Sequence, residues 1–260
     1  MTTLDDVLAD LAAERQGLDD LVAALSDEQW RTPTPAAGWD IAHQLVHLAW
    51  TDEVAVFAAT DKAAWDAVVL TALSNADGFV DAAAEEGAQA SGTDILARWR
   101  ASGAALAQAL RGLPEGARLP WFGPPMSATS MATARFMETW AHGLDVADAL
   151  GVRREPSDRV RHVVHLGVRT RNFAFANAGL DKPEAEFRVE LTAPSGGLWA
   201  FGPEDAEQRV DGPGLDFALL VTQRRHRDDL ALTATGAEAE AWLGVAQAFA
   251  GPPGGGREPS

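Results

Sequence analysis

The sequence contains no cysteine. Disulfides, a thiolate nucleophile and cysteine-ligated metals are thereby excluded, and any thiol chemistry needs a thiol supplied from outside. Lysine occurs only at Lys62 and Lys182, and cations as a class are scarce: 21 Lys and Arg face 38 Asp and Glu, a formal net charge of −17. Such a chain repels phosphate backbones and anionic lipid surfaces, so neither nucleic acid nor membrane is an expected partner. No run of about 18 apolar residues is present, so no membrane-spanning helix is expected. The opening Met1-Thr2-Thr3-Leu4-Asp5-Asp6 lacks a basic segment followed by an apolar one. No signal peptide is expected there, and the cytoplasm is the expected location. A composition rich in Arg and Ala but poor in Lys is typical of GC-rich bacterial genomes.

What remains is ordinary globular material: 260 residues, 47% hydrophobic and 23% charged, enough for one large domain or two small ones. The first two-thirds reads as helices. Leu4, Val7, Leu8, Leu11, Leu18, Leu21, Val22 and Leu25 follow helical spacing. Ser26-Asp27-Glu28-Gln29 resembles a capping box that opens a short turn near Trp30. A second helix is expected from about 40 to 59, a third over 62–86, and a fourth from Thr93 as N-cap to Gly112. Pro114, Pro120, Pro124 and Pro125 make 113–126 a loop. Helices over 127–150, closed by Gly151, and 156–178 complete a bundle.

The texture changes near residue 181. Alternating segments at 187–192, 198–201 and 229–233 read as strands, with helices expected at 215–223 and 237–249. The expected fold class is therefore α+β: a helical bundle over 1–180, a small α/β domain over 181–250, and a disordered Gly/Pro tail over 251–260.

Two helical segments carry side chains able to bind a metal. His43, His47 and Trp50 fall on one stripe of the second helix at i, i+4 and i+7, and Glu138, His142 and Asp145 share a stripe of the fifth. A carboxylate and an imidazole one turn apart can reach a single cation at about 2.0–2.2 Å. Such pairs are also common as exposed helix neighbours, so spacing alone leaves both readings open. Arg224-Arg225-His226-Arg227 is a basic run in an acidic chain; it either caps a helix C-terminus or grips a carboxylate. Trp50 and Trp140 are candidate pocket walls. Arg135, one turn before Glu138, either pairs with a carboxylate or, as its expected role, forms a surface salt bridge, and His162 and His165 read as structural.

Gly38-Trp39 through His47-Leu48-Ala49-Trp50, followed roughly ninety residues later by Glu138-Thr139-Trp140-Ala141-His142-Gly143-Leu144-Asp145, resembles the DinB-like superfamily. More closely, it is similar to the branch of mycothiol-dependent maleylpyruvate isomerases and their uncharacterised actinobacterial relatives. That resemblance implies a DinB-like bundle followed by a small sterol-carrier-like α/β domain. It implies a divalent metal, zinc first, held by His47, Glu138 and His142, and a thiol cosubstrate such as mycothiol. Three protein ligands leave a position for water or thiol, as in catalytic zinc sites. It places Arg224 as a catalytic candidate and Arg225 as its neighbour holding the thiol cosubstrate. His43, one turn before His47, is outside the implied ligand set; a catalytic base, a partner of a ligand, and an exposed residue remain its readings. Asp145 either orients His142 or packs as an acid.

The implied activity is isomerisation of, or S-transfer to, an electrophilic small molecule. Two alternatives stand beside it: a thiol-independent metal-dependent lyase, hydrolase or cyclase of specialised metabolism, and a non-catalytic carrier of a small molecule or lipid. A monomer and a homodimer are both compatible with the sequence.

Overall fold

The computed structural model describes residues 2–76 and 78–259. They form two compact units, Met1–Arg154 and Glu155–Ser260.

The first unit is helical. Helix α1 (Leu4–Val22) opens on Thr3, whose hydroxyl and backbone N–H pair reciprocally with Asp6, a capping box. A 3-10 turn over Gln29–Arg31 follows. Next come α2 (Ile41–Thr60), α3 (Lys62–Ser74), α4 (Phe79–Ala88), α5 (Gly92–Arg111) and α6 (Ala128–Ala149). α2 packs against α5, α4, α6 and α3, and α1 packs on α6. Ile41, Leu45 and Leu48 of α2 recur at helical spacing and enter the core with Trp30, Ile95 and Trp99. Each such side chain stabilises the unit by about 1.5–3 kcal/mol on burial.

Two expectations are corrected here. The single helix over 62–86 is two, because Asn75 leaves helical geometry (φ −147°, ψ 63°) and α4 restarts after Gly78. The fourth helix is capped by Ser91, whose Oγ accepts from the backbone N–H of Asp94, so Thr93 lies inside it. The proline-rich connection over 113–126 is a loop, pinched by paired backbone hydrogen bonds between Leu119 and Met126.

The second unit starts with a 3-10 turn (Asp158–Val160), α7 (Arg161–Arg169) and α8 (Arg171–Asn177), where one helix over 156–178 was expected. The strands β1 (Phe187–Thr192), β2 (Leu198–Phe201), β3 (Gln208–Pro213) and β4 (Thr233–Thr235), with α9 (Gly214–Val221) between β3 and β4 and α10 (Ala237–Val245) after β4, complete it. Packing divides the chain at 154/155, whereas the change of texture at 181 marks where strands begin: α7 packs against α9. The sheet order is β2-β1-β3-β4, with β1 parallel to β3 and the outer pairs antiparallel. Phe187, Val189 and Leu191 alternate inward along β1.

β3 has no counterpart among the sequence expectations, and the strand expected at 229–233 starts only at Thr233. Upstream of it, backbone groups are met by side chains: Asp216 accepts from Ala231 N at 2.8 Å, and Arg227 donates to Leu232 O at 2.8 Å. Gly202 has φ 78°, and a Cβ there would stand 1.9 Å from Phe187 O, so only glycine fits. Residues 251–259 carry no helix or strand.

Candidate metal centre

α2 and α6 lie side by side, and their stripes meet. His47 of α2 and Glu138 and His142 of α6 each offer a ligand atom, all within 4.8 Å of one another. His47 Nε2 is 3.5 Å and His142 Nε2 3.2 Å from the same oxygen, Glu138 Oε2. The imidazole centroids are 4.6 Å apart. Two nitrogens and a carboxylate oxygen, largely shielded from solvent, make a donor set suited to zinc and to other divalent ions of borderline softness. Burial pushes the Glu138 carboxyl up, but the adjacent imidazoles of His142 and His47 and the charge of Arg135 outweigh it, holding it well below the usual carboxylate range.

Arg135 corrects an expectation. It is no surface residue, being 4% exposed. Its Nη2 lies 3.7 Å from Glu138 Oε1, and its guanidinium carbon lies 5.5 Å from the Trp121 ring. Its Nε and Nη1 have no hydrogen-bond partner among the described residues. Arg135 therefore faces one oxygen of Glu138 while the other faces the two imidazoles.

His43 lies outside the cluster. Its Nδ1 meets Asp40 Oδ1 at 2.6 Å at the start of α2, and its Nε2 meets Glu85 Oε2 of α4 at 3.0 Å. Trp39 ties it to the ligands: its ring lies 6.2 Å from His43, 5.3 Å from His47 and 6.0 Å from His142. Trp50 stands 6.4 Å from His47, so it borders the centre as expected. Asp145 is buried on α6. The Nδ1 of His142 meets Oε1 of Gln44 at 2.5 Å, a residue that the sequence reading passed over. A polar residue between core positions Ile41 and Leu45 was its only signal.

Arg224 and Arg225 belong to the second unit, whereas the three ligands belong to the first. They follow α9 through Gln223, which has φ 57°. Gln223 N donates to Leu220 O and Arg224 N to Leu219 O, closing the helix in a Schellman motif. The Arg224 guanidinium donates to Thr222 O and that of Arg225 to Arg224 O, both at 2.6 Å. Arg225, His226 and Arg227 line a cavity of about 320 Å³ together with residues 253–257.

Residues 11–147 match the family described as the mycothiol maleylpyruvate isomerase N-terminal domain, and residues 183–235 match one described as wyosine base formation. Uncharacterised proteins of two Mycobacterium tuberculosis strains are each 55% identical over 250 residues, covering 96% of this chain and 97% of theirs. A crystal structure of mycothiol-dependent maleylpyruvate isomerase superposes with a TM-score of 0.61 at 15% identity, over 89% of this chain and 93% of that one. A histidine-to-alanine variant of that isomerase superposes with a TM-score of 0.62 over the same shares. At that identity the likeness speaks for the fold: a DinB-like helical bundle followed by a small α/β unit. No helix among the described residues is long and apolar enough to cross a membrane.

Proposed function

The chain belongs to the mycothiol maleylpyruvate isomerase N-terminal domain family, and on that premise we propose that it is a metal-dependent enzyme acting with a low-molecular-weight thiol. Its reaction is isomerisation of, or sulfur transfer to, an electrophilic small molecule. The observation that carries the reading is the convergence of His47, Glu138 and His142 within 4.8 Å, inside the segment that the family covers, in a chain without cysteine. With no thiol of its own, the protein needs a cosubstrate such as mycothiol to supply sulfur.

His47 and His142 would hold a divalent cation, zinc first, through their Nε2 atoms and Glu138 through Oε2. A cation bound there supplies Lewis acidity that lowers the pKa of a thiol or water beside it. The residues of the chain do the rest. Glu138 stays ionised under the charge of Arg135, and Arg135 holds the second carboxylate oxygen away from the imidazoles. Trp39 and Trp50 wall the two histidines and restrict water around them, which strengthens every charge interaction at the centre.

The test is spectroscopic and does not require the substrate. Cobalt(II)-loaded protein titrated with mycothiol is expected to gain the intense near-ultraviolet band of a cobalt–thiolate, and mycothiol-dependent turnover of maleylpyruvate is the first reaction to assay. Cobalt-loaded protein whose spectrum is unchanged by mycothiol contradicts the thiol part of the reading and favours thiol-independent Lewis-acid chemistry.

A further inference from the structure

We infer that Gln44 is a positioning residue that fixes the tautomer of His142, so that Nε2 and not Nδ1 is presented as the ligand atom. This inference rests on the metal reading of the His47, Glu138 and His142 cluster.

The argument follows hydrogen-bond polarity along a chain of three groups. Thr34 Oγ1 lies 2.8 Å from the backbone carbonyl of Trp39. A carbonyl only accepts, so the hydroxyl spends its single proton there. Its lone pairs then accept from the Gln44 amide, whose Nε2 stands 2.8 Å away. With the NH2 end of the amide committed to Thr34, the end that faces His142 is the oxygen, Oε1, at 2.5 Å from Nδ1. An amide oxygen also only accepts, so Nδ1 must carry a proton. In the neutral imidazole the remaining nitrogen, Nε2, is then a bare lone pair. It points at Glu138 Oε2, 3.2 Å away. A lone pair and a carboxylate oxygen at that distance repel one another unless a cation lies between them.

The chain is sheltered as well as directional. Gln44 is 0% exposed, so water does not replace either of its bonds. The turn that holds Thr34 also supplies Trp39, whose ring stacks on His142 at 6.0 Å with 22° between planes. One short segment therefore grips the same imidazole by a hydrogen-bond chain and by a ring face. His47 has no such partner: its Nδ1 is buried and lacks a hydrogen bond among the described residues. The two histidine ligands are thus unequal, and Gln44 makes the difference. Hydrogen-bonded partners of ligating histidines commonly set metal affinity in this way.

The experiment compares the wild-type protein with Gln44→Leu and Gln44→Glu. Zinc affinity is read by competition with a chromophoric chelator, and long-range proton–nitrogen correlation spectra of the zinc-loaded protein read which nitrogen of His142 carries hydrogen. The wild type is expected to show a protonated Nδ1 and a metal-bound Nε2. Gln44→Leu removes the acceptor and is expected to weaken zinc binding by about 10–100-fold. Gln44→Glu retains an oxygen facing Nδ1, and because Trp39 O also accepts from Thr34 N at 2.9 Å, the Thr34 hydroxyl is free to turn and donate to the second carboxylate oxygen. This variant is expected to recover most of that loss, which a purely packing role would not allow. Thermal unfolding of the metal-free variants checks that each folds. Zinc bound with equal affinity by the wild type and a folded Gln44→Leu overturns this inference alone, as does a wild type ligated through Nδ1 of His142 or a Gln44→Glu as weak as Gln44→Leu. A wild type that binds no zinc overturns the metal reading, and this inference with it.

Discussion

Replacing Trp39 with alanine removes, among the described residues, the aromatic ring that packs beside His43, His47 and His142 alike. Its ring centroid lies 6.2 Å from His43, 5.3 Å from His47 and 6.0 Å from His142, distances at which aromatic pairs contribute about 0.5–1.5 kcal/mol each beyond buried area. Its Nε1 also donates to Asp81 Oδ1 of α4 at 3.0 Å. Trp39 is only half-buried, so the lower end of the range applies and the total cost is about 2 kcal/mol. For a unit of this size that corresponds to a fall of about 4–8 °C in Tm. The assay is thermal and urea unfolding in chelator, so that bound metal does not contribute. Trp39→Phe retains the ring contacts and loses only the N–H, and is expected to cost about 1 kcal/mol or less. A Trp39→Ala variant within about 0.5 kcal/mol of wild type would refute the claim that this ring organises the histidines.

Asp52 is 2% exposed and bonded to Arg15 at 2.6 Å and to Ser102 at 3.3 Å, tying α2 to α1 and α5. Burial pushes its carboxyl up despite these partners, so the pair is no large net gain, but Asp52→Ala removes the carboxylate partner of the Arg15 guanidinium, which keeps its bond to Trp99 O, and is expected to cost about 3 kcal/mol in urea unfolding; a loss under about 1 kcal/mol contradicts this. Burial lowers the pKa of His43, yet hydrogen bonds to Glu85 and Asp40 outweigh it, and the net shift is upward from 6.5. Protonated His43 thus contributes stability that is fully present below pH 6.5 and is lost as pH rises through the folded value. The difference in stability between wild type and His43→Gln is expected to shrink over that window; a difference independent of pH sinks the assignment. Gly92→Ala would place a Cβ 2.3 Å from the buried Trp30 ring, an overpacking expected to cost about 1–3 kcal/mol in the same assay, and an unchanged midpoint would contradict it.

Helical periodicity made the bundle legible because α2 and α6 each bury one stripe and leave metal-competent groups on another. His47, Glu138 and His142 were thus named from spacing and resemblance, and the fold brings them together. Other features depend on tertiary partners. β3 reads poorly as a strand because Asp211, Gly212 and Pro213 disfavour it locally, yet β1 and β4 on either side supply its pairing. Arg135 looked like a surface residue because charged side chains are rarely buried without partners; only the packing of α6 shows it beside Glu138. Gln44 was hidden because an amide carries no charge and no motif of its own. The break between α3 and α4 did have a signal, in Asn75 and Gly78, which the long apolar run masked.

The most direct test of the central claim is the metal content of purified protein by elemental mass spectrometry, comparing wild type with His47→Ala and Glu138→Ala. The expected result is about one zinc per chain in the wild type and its loss in both variants, with helical content preserved. Wild-type protein that takes up no stoichiometric divalent metal, even after supplementation in chelator-free buffer, contradicts the account.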